Sequence, residues 1–321
     1  MQSNSEKFSQ YMASKGIYHE GLIISDNKFH RWNKAKLWYI FNETYGAFGN
    51  WSTGEKYSWS INDSGDVKVS KKLQEKAISA TSETENKISK QNDAARVMAK
   101  RILDKAVAAT DDNPYLQSKQ VGSHNLLQIN DTLVVPAYSV NGEVTTIQFI
   151  TTDQKRFLKG GKKRGSFFVF GNLEQAKGKK VYIAEGVATA ATVYEASGDT
   201  TVCAFDAGNI VAVCDALFYK LSGCDVVIAA DNDQWKDTNT GIEQAEIAAA
   251  KYGYSITYPD FTWLDEATKP TDFNDLQQLS GLDKVKEQLQ NIKTITKLPE
   301  GFELRKDGIY HSDRLEFMLS N

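Results

Sequence analysis

The sequence predicts an α/β protein with a mostly parallel sheet, and three observations carry that prediction. Val181-Tyr182-Ile183-Ala184 is an apolar run that stops at Glu185-Gly186. Val226-Val227-Ile228-Ala229-Ala230 is a second run, and it stops at Asp231-Asn232-Asp233. Between and beyond them, short apolar runs alternate with helical stretches closed by Gly198 and Gly253. Strands buried on both faces of a parallel sheet read as continuous apolar runs, and alternation of this kind means helices on the faces of such a sheet. Ligands bind beyond the carboxyl ends of those strands, so carboxylates at two strand ends meet in one crevice.

Taken in order, residues 1–69 are dense in aromatics, among them Trp32, Trp38, Tyr39, Phe41, Tyr45, Phe48, Trp51, Tyr57 and Trp59. Short runs broken by turn residues predict a small β-rich module. Its rings either form a compact core or offer a stacking platform for a single strand, as aromatic faces beside cations do. Residues 70–110 read as a polar linker, Lys71 to Asn92, followed by an amphipathic helix through Ala94–Leu103 that ends before Asp111.

Residues 111–177 contain a hairpin: Thr132–Val140 and Val144–Ile150 flank Asn141-Gly142, a two-residue turn signal. Pro136 places its strand at an edge or at a bulge. Directly afterwards Lys155, Arg156, Lys159, Lys162, Lys163 and Arg164 fall within ten residues, interrupted by Gly160-Gly161. Such a run also describes a solvated loop. Here, however, it lies between a hairpin and the apolar Phe167-Phe168-Val169-Phe170, just ahead of the carboxylates, where cations suit a polyphosphate or nucleic-acid backbone.

Within residues 178–292 the predicted elements are strands at Val181–Ala184, Thr200–Phe205, Cys224–Ala230 and Tyr254–Tyr258. Helices are expected at Val187–Ala196, near Asn209–Leu221, from a capping box at Thr240-Gly241-Ile242-Glu243 to Tyr252, and from the Lys269–Leu276 segment towards Ile292. Residues 293–321, with Gly301-Phe302 and Asp307-Gly308-Ile309-Tyr310, read as the opening of another β-rich unit of a longer protein.

Composition narrows the classes. A formal net charge of −3 makes any basic surface local. Cys203, Cys214 and Cys224 lie in apolar surroundings without a Cys-x-x-Cys pair, as reduced cysteines of a cytoplasmic protein would. No apolar run approaches the ~18 residues of a membrane helix, and the N-terminus lacks the apolar core of a signal peptide. A cytoplasmic protein with no membrane partner is expected.

Glu185, Asp231 and Asp233 are hard oxygen donors suited to Mg²⁺ or Mn²⁺. Side chains two apart on a strand share a face, so Asp231 and Asp233 are expected to point together. Close carboxylates repel one another, and a cation between them relieves that repulsion. The alternative is that the two aspartates merely cap a helix or a loop.

Glu185-Gly186 after one strand and Asp231-x-Asp233 after a later one, with a βα unit between, resemble the Toprim domain shared by primases, topoisomerases and several nucleases. The resemblance implies that Glu185 is a general acid/base or a metal ligand and that Asp231 and Asp233 hold metal. Asp272-Phe273-Asn274-Asp275-Leu276 is similar to the acidic segment that ends the domain in primases, which implies Asp275 as a further ligand. Pro114-Tyr115-Leu116-x-x-Lys119, the hairpin, and Lys155-Arg156-Phe157-Leu158 through Phe168 resemble the core of plasmid and phage primases, which makes 111–177 an α+β primase subdomain. Phe29-His30-Arg31-Trp32, Trp38-Tyr39 and Tyr45–Trp51 resemble the opening of phage and plasmid primase–helicases, and residues 301–310 the stretch leading to their helicase part.

The implied function is a DNA-dependent RNA primase of a bacterial phage or plasmid. It would use single-stranded DNA, nucleoside triphosphates and two Mg²⁺ or Mn²⁺ ions beside a helicase domain or partner. Lys155, Arg156, Lys162, Lys163 and Arg164, with Trp32 and Trp51, are then the candidate nucleotide and DNA contacts. No cysteine lies in 1–69, so no zinc is expected there. A Toprim nuclease uses the same carboxylates. A non-catalytic single-strand-binding or helicase-loading module is the third reading.

Overall fold

The computed structural model describes residues 3–19, 21–33, 36–51, 53–61, 71–263, 268–299, 302–305, 308–311 and 317–318. Internal packing divides the chain into two units, Met1–Lys90 and Gln91–Asn321.

The first unit is an antiparallel sheet, β1 (His30–Trp32), β2 (Leu37–Asn42), β3 (Tyr45–Asn50) and β4 (Glu55–Ser60), preceded by a helix, α1 (Asn4–Ser14). The strands were expected; the helix was not. Its apolar signal is little more than Phe8 and Met12, one turn apart. Its start is a capping box: the Ser3 side chain accepts from Glu6 N, and the Glu6 side chain accepts from Ser3 N. Phe8 stacks on Phe41 with ring centroids 4.6 Å apart and meets Phe48 edge-on at 5.7 Å. The β2–β3 turn is fixed by Asn42, whose Oδ1 accepts from Thr44 N, Thr44 Oγ1 and Tyr45 N.

Gly46, between Phe41 and Trp59 in the sheet, is where Phe8 enters: a Cβ there would lie 2.2 Å from the Phe8 ring. Gly46→Ala is therefore expected to push Phe8 out of its slot and destabilise this unit by about 1–3 kcal/mol. Tryptophan-detected thermal unfolding reads the effect, and an unchanged midpoint would show that the ring has another place to go.

The linker expected over Lys71–Asn92 is helical. α2 runs Lys71–Leu103. The segment is rich in Lys, Glu, Gln and Ala and has neither Gly nor Pro, so nothing in it opposes helix, polar though it is. A polar segment without helix breakers can still be helical.

The second unit begins with a five-stranded antiparallel sheet: β5 (Val107–Ala108), β6 (Leu127–Ile129), β7 (Thr132–Tyr138), β8 (Val144–Ile150) and β9 (Lys155–Phe157), with α3 (Pro114–Lys119) between β5 and β6. The hairpin β7–β8 is as expected, but its turn is wider than two residues. Ser139 O accepts from Gly142 N, Ser139 N donates to Glu143 O, and only Gly142 has positive φ. That is a three-residue loop with a glycine bulge, which needs one left-handed position rather than two. Pro136 pairs with Ile147 beyond the end of β6, next to a register shift at Ala137/Tyr138. Its missing N–H therefore costs the ladder nothing.

The remaining elements are β10 (Phe168–Phe170), β11 (Lys180–Ala184), α4 (Val187–Ser197), β12 (Thr200–Cys203), α5 (Ala207–Leu217), β13 (Asp225–Ala229), α6 (Thr240–Tyr252), β14 (Ser255–Thr257), α7 (Phe273–Ser280), α8 (Leu282–Gln288) and β15 (Lys293–Thr294). They form a six-stranded sheet in the order β10-β12-β11-β13-β14-β15. The four central strands are parallel, and the two edge strands are antiparallel to their neighbours.

One hydrophobic cluster, with α4, α7 and α8, packs on one face; the other, with α5 and α6, packs on the opposite face. Several expected boundaries move. The helix expected near Asn209–Leu221 runs Ala207–Leu217, earlier at both ends. The second strand stops at Cys203, two residues before Phe205. The cap of α6 is Asn239, whose side chain accepts from Ile242 N, rather than Thr240. The helix expected to reach Ile292 is two helices, broken where Gly281 takes φ 81°.

The tail forms β16 (Phe302–Arg305), β17 (Gly308–His311) and β18 (Phe317–Met318), antiparallel throughout. The expected Gly301 and Asp307 lie outside the described residues. Among the described residues no helix is long and apolar enough to cross a membrane.

Candidate metal and nucleotide crevice

The carboxyl ends of β11, β12 and β13 bring acidic residues to one side of the sheet. Glu185 follows β11 directly, and Asp206 follows β12 through Phe205. Phe205 adopts φ 72°, a left-handed conformation uncommon for a bulky side chain. Its ring meets Phe157 edge-on at 5.4 Å, so the chain bends between β12 and α5 and is held there by packing.

Asp231 and Asp233 lie beyond the end of β13 in a loop rather than on the strand. The loop is pinned by the buried Asn232 between them. Its Nδ2 donates to Pro259 O (2.8 Å), its Oδ1 accepts from Asn239 Nδ2 (2.8 Å), and its N donates to Thr271 O (2.6 Å). Asn239 Oδ1 accepts from Asp233 N, and Trp235 Nε1 donates to Pro270 O at 2.7 Å. Gly241 lets α6 approach: a Cβ there would sit 2.4 Å from Asp231 O.

Asp231 Oδ1 is buried and has no hydrogen-bond partner. Burial first, then the charges of Glu185, Asp272, Asp233 and Asp275, push the Asp231 carboxyl well above the ordinary carboxylate range. Burial likewise raises Glu185; the Ala207 amide works against it, and Asp206, Asp233 and Asp272 add to it. Asp233 accepts an ion pair from Lys236 Nζ at 2.9 Å. The two aspartates therefore have different surroundings, and a shared strand face does not describe them.

Asp272, rather than the expected Asp275, is the acid of this segment that is turned to Asp231 most strongly. It caps α7, with Oδ1 accepting from Asp275 N at 2.8 Å and Oδ2 accepting from Thr189 Oγ1 at 3.0 Å. Burial and then Asp275 raise its carboxyl, and it acts on Asp231 ahead of Asp275. The Asp275 side chain turns to Thr271, accepting from its N at 2.8 Å. The legible signal was the Asp-x-x-Asp spacing ahead of an amphipathic run, which marks the first aspartate as the cap.

The basic segment borders the same crevice. Lys163 forms an ion pair with Asp206. The buried Asn209 holds the loop behind it: Oδ1 accepts from Gly165 N (2.8 Å), and Nδ2 donates to Ser166 O (2.9 Å) and Ala204 O (2.8 Å). Lys155 begins β9. Burial alone would lower the pKa of its ammonium, but Tyr115 and then Asp272 outweigh that and hold it above the ordinary value. Arg156 lies over the Phe149 ring, 4.7 Å from its centroid. Lys162 is exposed, and its carbonyl accepts from Ser166 Oγ at 3.0 Å. Arg164 lies next to the Gly165 turn.

In the first unit, Trp32 and Trp51 belong to different clusters. Trp32 donates from Nε1 to Tyr18 O at 2.8 Å and packs with the α1-side core. Trp51 stacks on Trp38 at 5.4 Å in the smaller cluster.

The donor set fits a hard divalent cation. It is all carboxylate, it carries mutual repulsion, and one buried oxygen is orphaned. Among the described residues, however, no three His, Cys, Asp or Glu side chains converge on one point that would enclose an ion. A cation here would be held by one or two carboxylates together with phosphate oxygens and water, as Mg²⁺ commonly is.

Residues 180–283 match the family model described as Toprim domain. This region is a Toprim domain. The chain is also similar to two Escherichia coli proteins, each named DNA primase TraC. One is 34% identical over 226 residues, covering 67% of this chain and 21% of that protein. The other is 30% identical over 285 residues, covering 80% and 19%. The chain thus spans about a fifth of the length of these curated relatives. Among solved structures, the zinc-binding and RNA polymerase domains of the Aquifex aeolicus primase align with 92% of this chain and 87% of theirs, at 12% identity and a TM-score of 0.45.

Proposed function

We propose that this chain carries the nucleotidyl-transferring part of a DNA-dependent RNA primase of the phage or plasmid type, acting in the cytoplasm of a bacterial cell. One observation carries the reading: an acidic Toprim crevice with an orphaned carboxylate oxygen is bordered by a basic loop tied to it through Lys163–Asp206 and Asn209. Likeness over most of the chain to proteins named DNA primase supports it.

Asp231 and Glu185, with Asp272 and Asp233 beside them, would hold Mg²⁺ or Mn²⁺, and Asp275 would act through Asp272 and Thr271. When bound, the ion supplies Lewis-acid charge that eases deprotonation of the primer 3′ hydroxyl and offsets charge on the departing pyrophosphate. Glu185, raised by burial and by Asp206 against the Ala207 amide, is the carboxyl suited to exchanging a proton with the reacting hydroxyl. Lys155 and Lys163 bring positive charge to the crevice for the triphosphate. Arg156, Lys162 and Arg164 extend it for the template, Arg being suited to bidentate phosphate contact. The first unit offers single-stranded DNA an aromatic surface on which Trp51, stacked on Trp38, is better placed than Trp32, whose indole N–H is already used. A helicase domain or partner would deliver the template.

A Toprim nuclease would use the same carboxylates; the basic loop at the crevice favours the primase. Incubation with single-stranded DNA, labelled nucleoside triphosphates and Mg²⁺ decides between the readings. Extension products support the primase. Shortened DNA supports the nuclease, and unaltered, retained DNA supports a binding module.

A further inference from the structure

We infer that Tyr115 is a positioning residue that fixes the Lys155 ammonium for a nucleotide phosphate. The inference rests on reading the crevice as a nucleotide site.

Tyr115 is 3% exposed, and its hydroxyl is a buried polar atom with no hydrogen-bond partner. A buried hydroxyl that does not complete a well-formed hydrogen bond costs stability, so its presence asks for a use. The ring alone would fill the core equally well as phenylalanine. The neighbour that gives the oxygen a use is Lys155. Its Nζ stands 5.5 Å from the Tyr115 ring centroid, where the ammonium and the phenol oxygen act on one another without reaching full hydrogen-bond geometry. Asp272 also acts on both groups. Tyr115 and Lys155 thus both lie within reach of the charge of Asp272, one of the acidic set.

The helix that carries Tyr115 is itself set with care. Asn113 caps α3, accepting from Tyr115 N at 3.1 Å and Leu116 N at 3.4 Å. The end of α3 is tied to the Toprim helices by a buried amide network. Asn274 Nδ2 donates to Lys119 O (2.7 Å) and to Thr192 Oγ1 (3.0 Å), and Gln277 Nε2 donates to Gln120 O at 2.5 Å. Thr192 Oγ1 donates to Gln277 Oε1 at 2.7 Å, which closes the network. Because Asn274 lies on α7, whose cap is Asp272, the same helix locates the acid and the tyrosine. A lysine ammonium is a point charge on a flexible stem. A fixed phenol oxygen limits where that charge sits when a phosphate oxygen draws it in.

Two readouts on the full chain test this. The first does not depend on catalysis: acetic anhydride labelling of Lys155, followed by mass spectrometry. A fixed, charged amine reacts slowly; Tyr115→Phe is expected to speed labelling of Lys155 about tenfold while other lysines keep their rates, and with no loss of thermal midpoint. The second is primer extension, in which Tyr115→Phe is expected to raise the KM for nucleoside triphosphate about tenfold with kcat nearly unchanged. In a Lys155→Ala background the second substitution should add nothing. Unchanged Lys155 labelling in Tyr115→Phe would overturn the inference even if primer synthesis is seen. Conversely, faster labelling in a chain that makes no primer would retain the Tyr115–Lys155 coupling and sink the nucleotide reading instead. A lowered midpoint with unchanged KM would assign the hydroxyl to stability and overturn the inference.

Discussion

Asp231→Asn is expected to make the metal-free protein more stable and the enzyme inactive. The Asp231 carboxylate is buried, one oxygen is unpartnered, and Glu185 and Asp272 face it. Removing its charge relieves burial and repulsion together, and the midpoint should rise by about 2–5 °C near pH 8 without metal. Primer synthesis should fall by about 10³-fold, since the cation loses a charged ligand.

The pH dependence follows with a definite sign. Asp231, Glu185 and Asp272 are all raised in the folded chain. Between the ordinary carboxylate range, near ~4, and their raised values, the folded state therefore binds more protons than the unfolded state. Metal-free stability falls as pH rises through that window. Mg²⁺ binds the ionised form and so should stabilise the protein more at pH 8 than at pH 5. Thermal scans at both values, with and without Mg²⁺, check this. An Asp231→Asn protein that is no more stable than wild type without metal, or whose Mg²⁺ response matches wild type, would contradict it.

Asn209→Leu is expected to be the most damaging substitution away from the carboxylates. It would leave Gly165 N–H, Ser166 C=O and Ala204 C=O without their partner. The Ser166 and Ala204 carbonyls are buried and the Gly165 amide half-buried, for a combined cost of about 3–5 kcal/mol. Functionally, the loop carrying Lys162, Lys163 and Arg164 would detach from the start of α5, and Lys163 would leave Asp206. Urea unfolding reads the first effect, and nucleotide affinity together with hydrogen exchange over 162–166 reads the second. Near-wild-type stability with unchanged exchange would mean that the Lys163–Asp206 pair alone holds the loop.

Much of this fold was legible because buried parallel strands announce themselves. The run from Val226 to Ala230 is short, β-branched at its start and stopped by a carboxylate, which favours a strand over a helix, and Gly198 and Gly253 end their helices with positive φ as their positions suggest. Helices of polar residues were less legible. Lys71–Asn92 looked like a linker because helix propensity was outweighed by the lack of an apolar stripe, and α1 rests on a capping box and two buried side chains. At the site, residue types were readable but roles were not. Asp272 and Asp275 are three apart and chemically alike; only the chain path shows that one faces Asp231 while the other turns to Thr271. Trp32 and Trp51 are likewise the same residue, and only the fold shows that one indole N–H is already spent on Tyr18. Tyr115 was legible only within the Pro114-Tyr115-Leu116-x-x-Lys119 resemblance, because nothing in a sequence marks which neighbour a buried hydroxyl will meet.

The central claim is that the crevice around Asp231 and Glu185 holds a divalent cation for chemistry on phosphate. Electron paramagnetic resonance of Mn²⁺ titrated into the full chain, with and without a nucleoside triphosphate, tests it most directly. The expected result is Mn²⁺ binding that tightens with triphosphate, that Mg²⁺ displaces, and that Asp231→Asn abolishes. Equal Mn²⁺ binding by the wild-type and Asp231→Asn proteins would contradict the account.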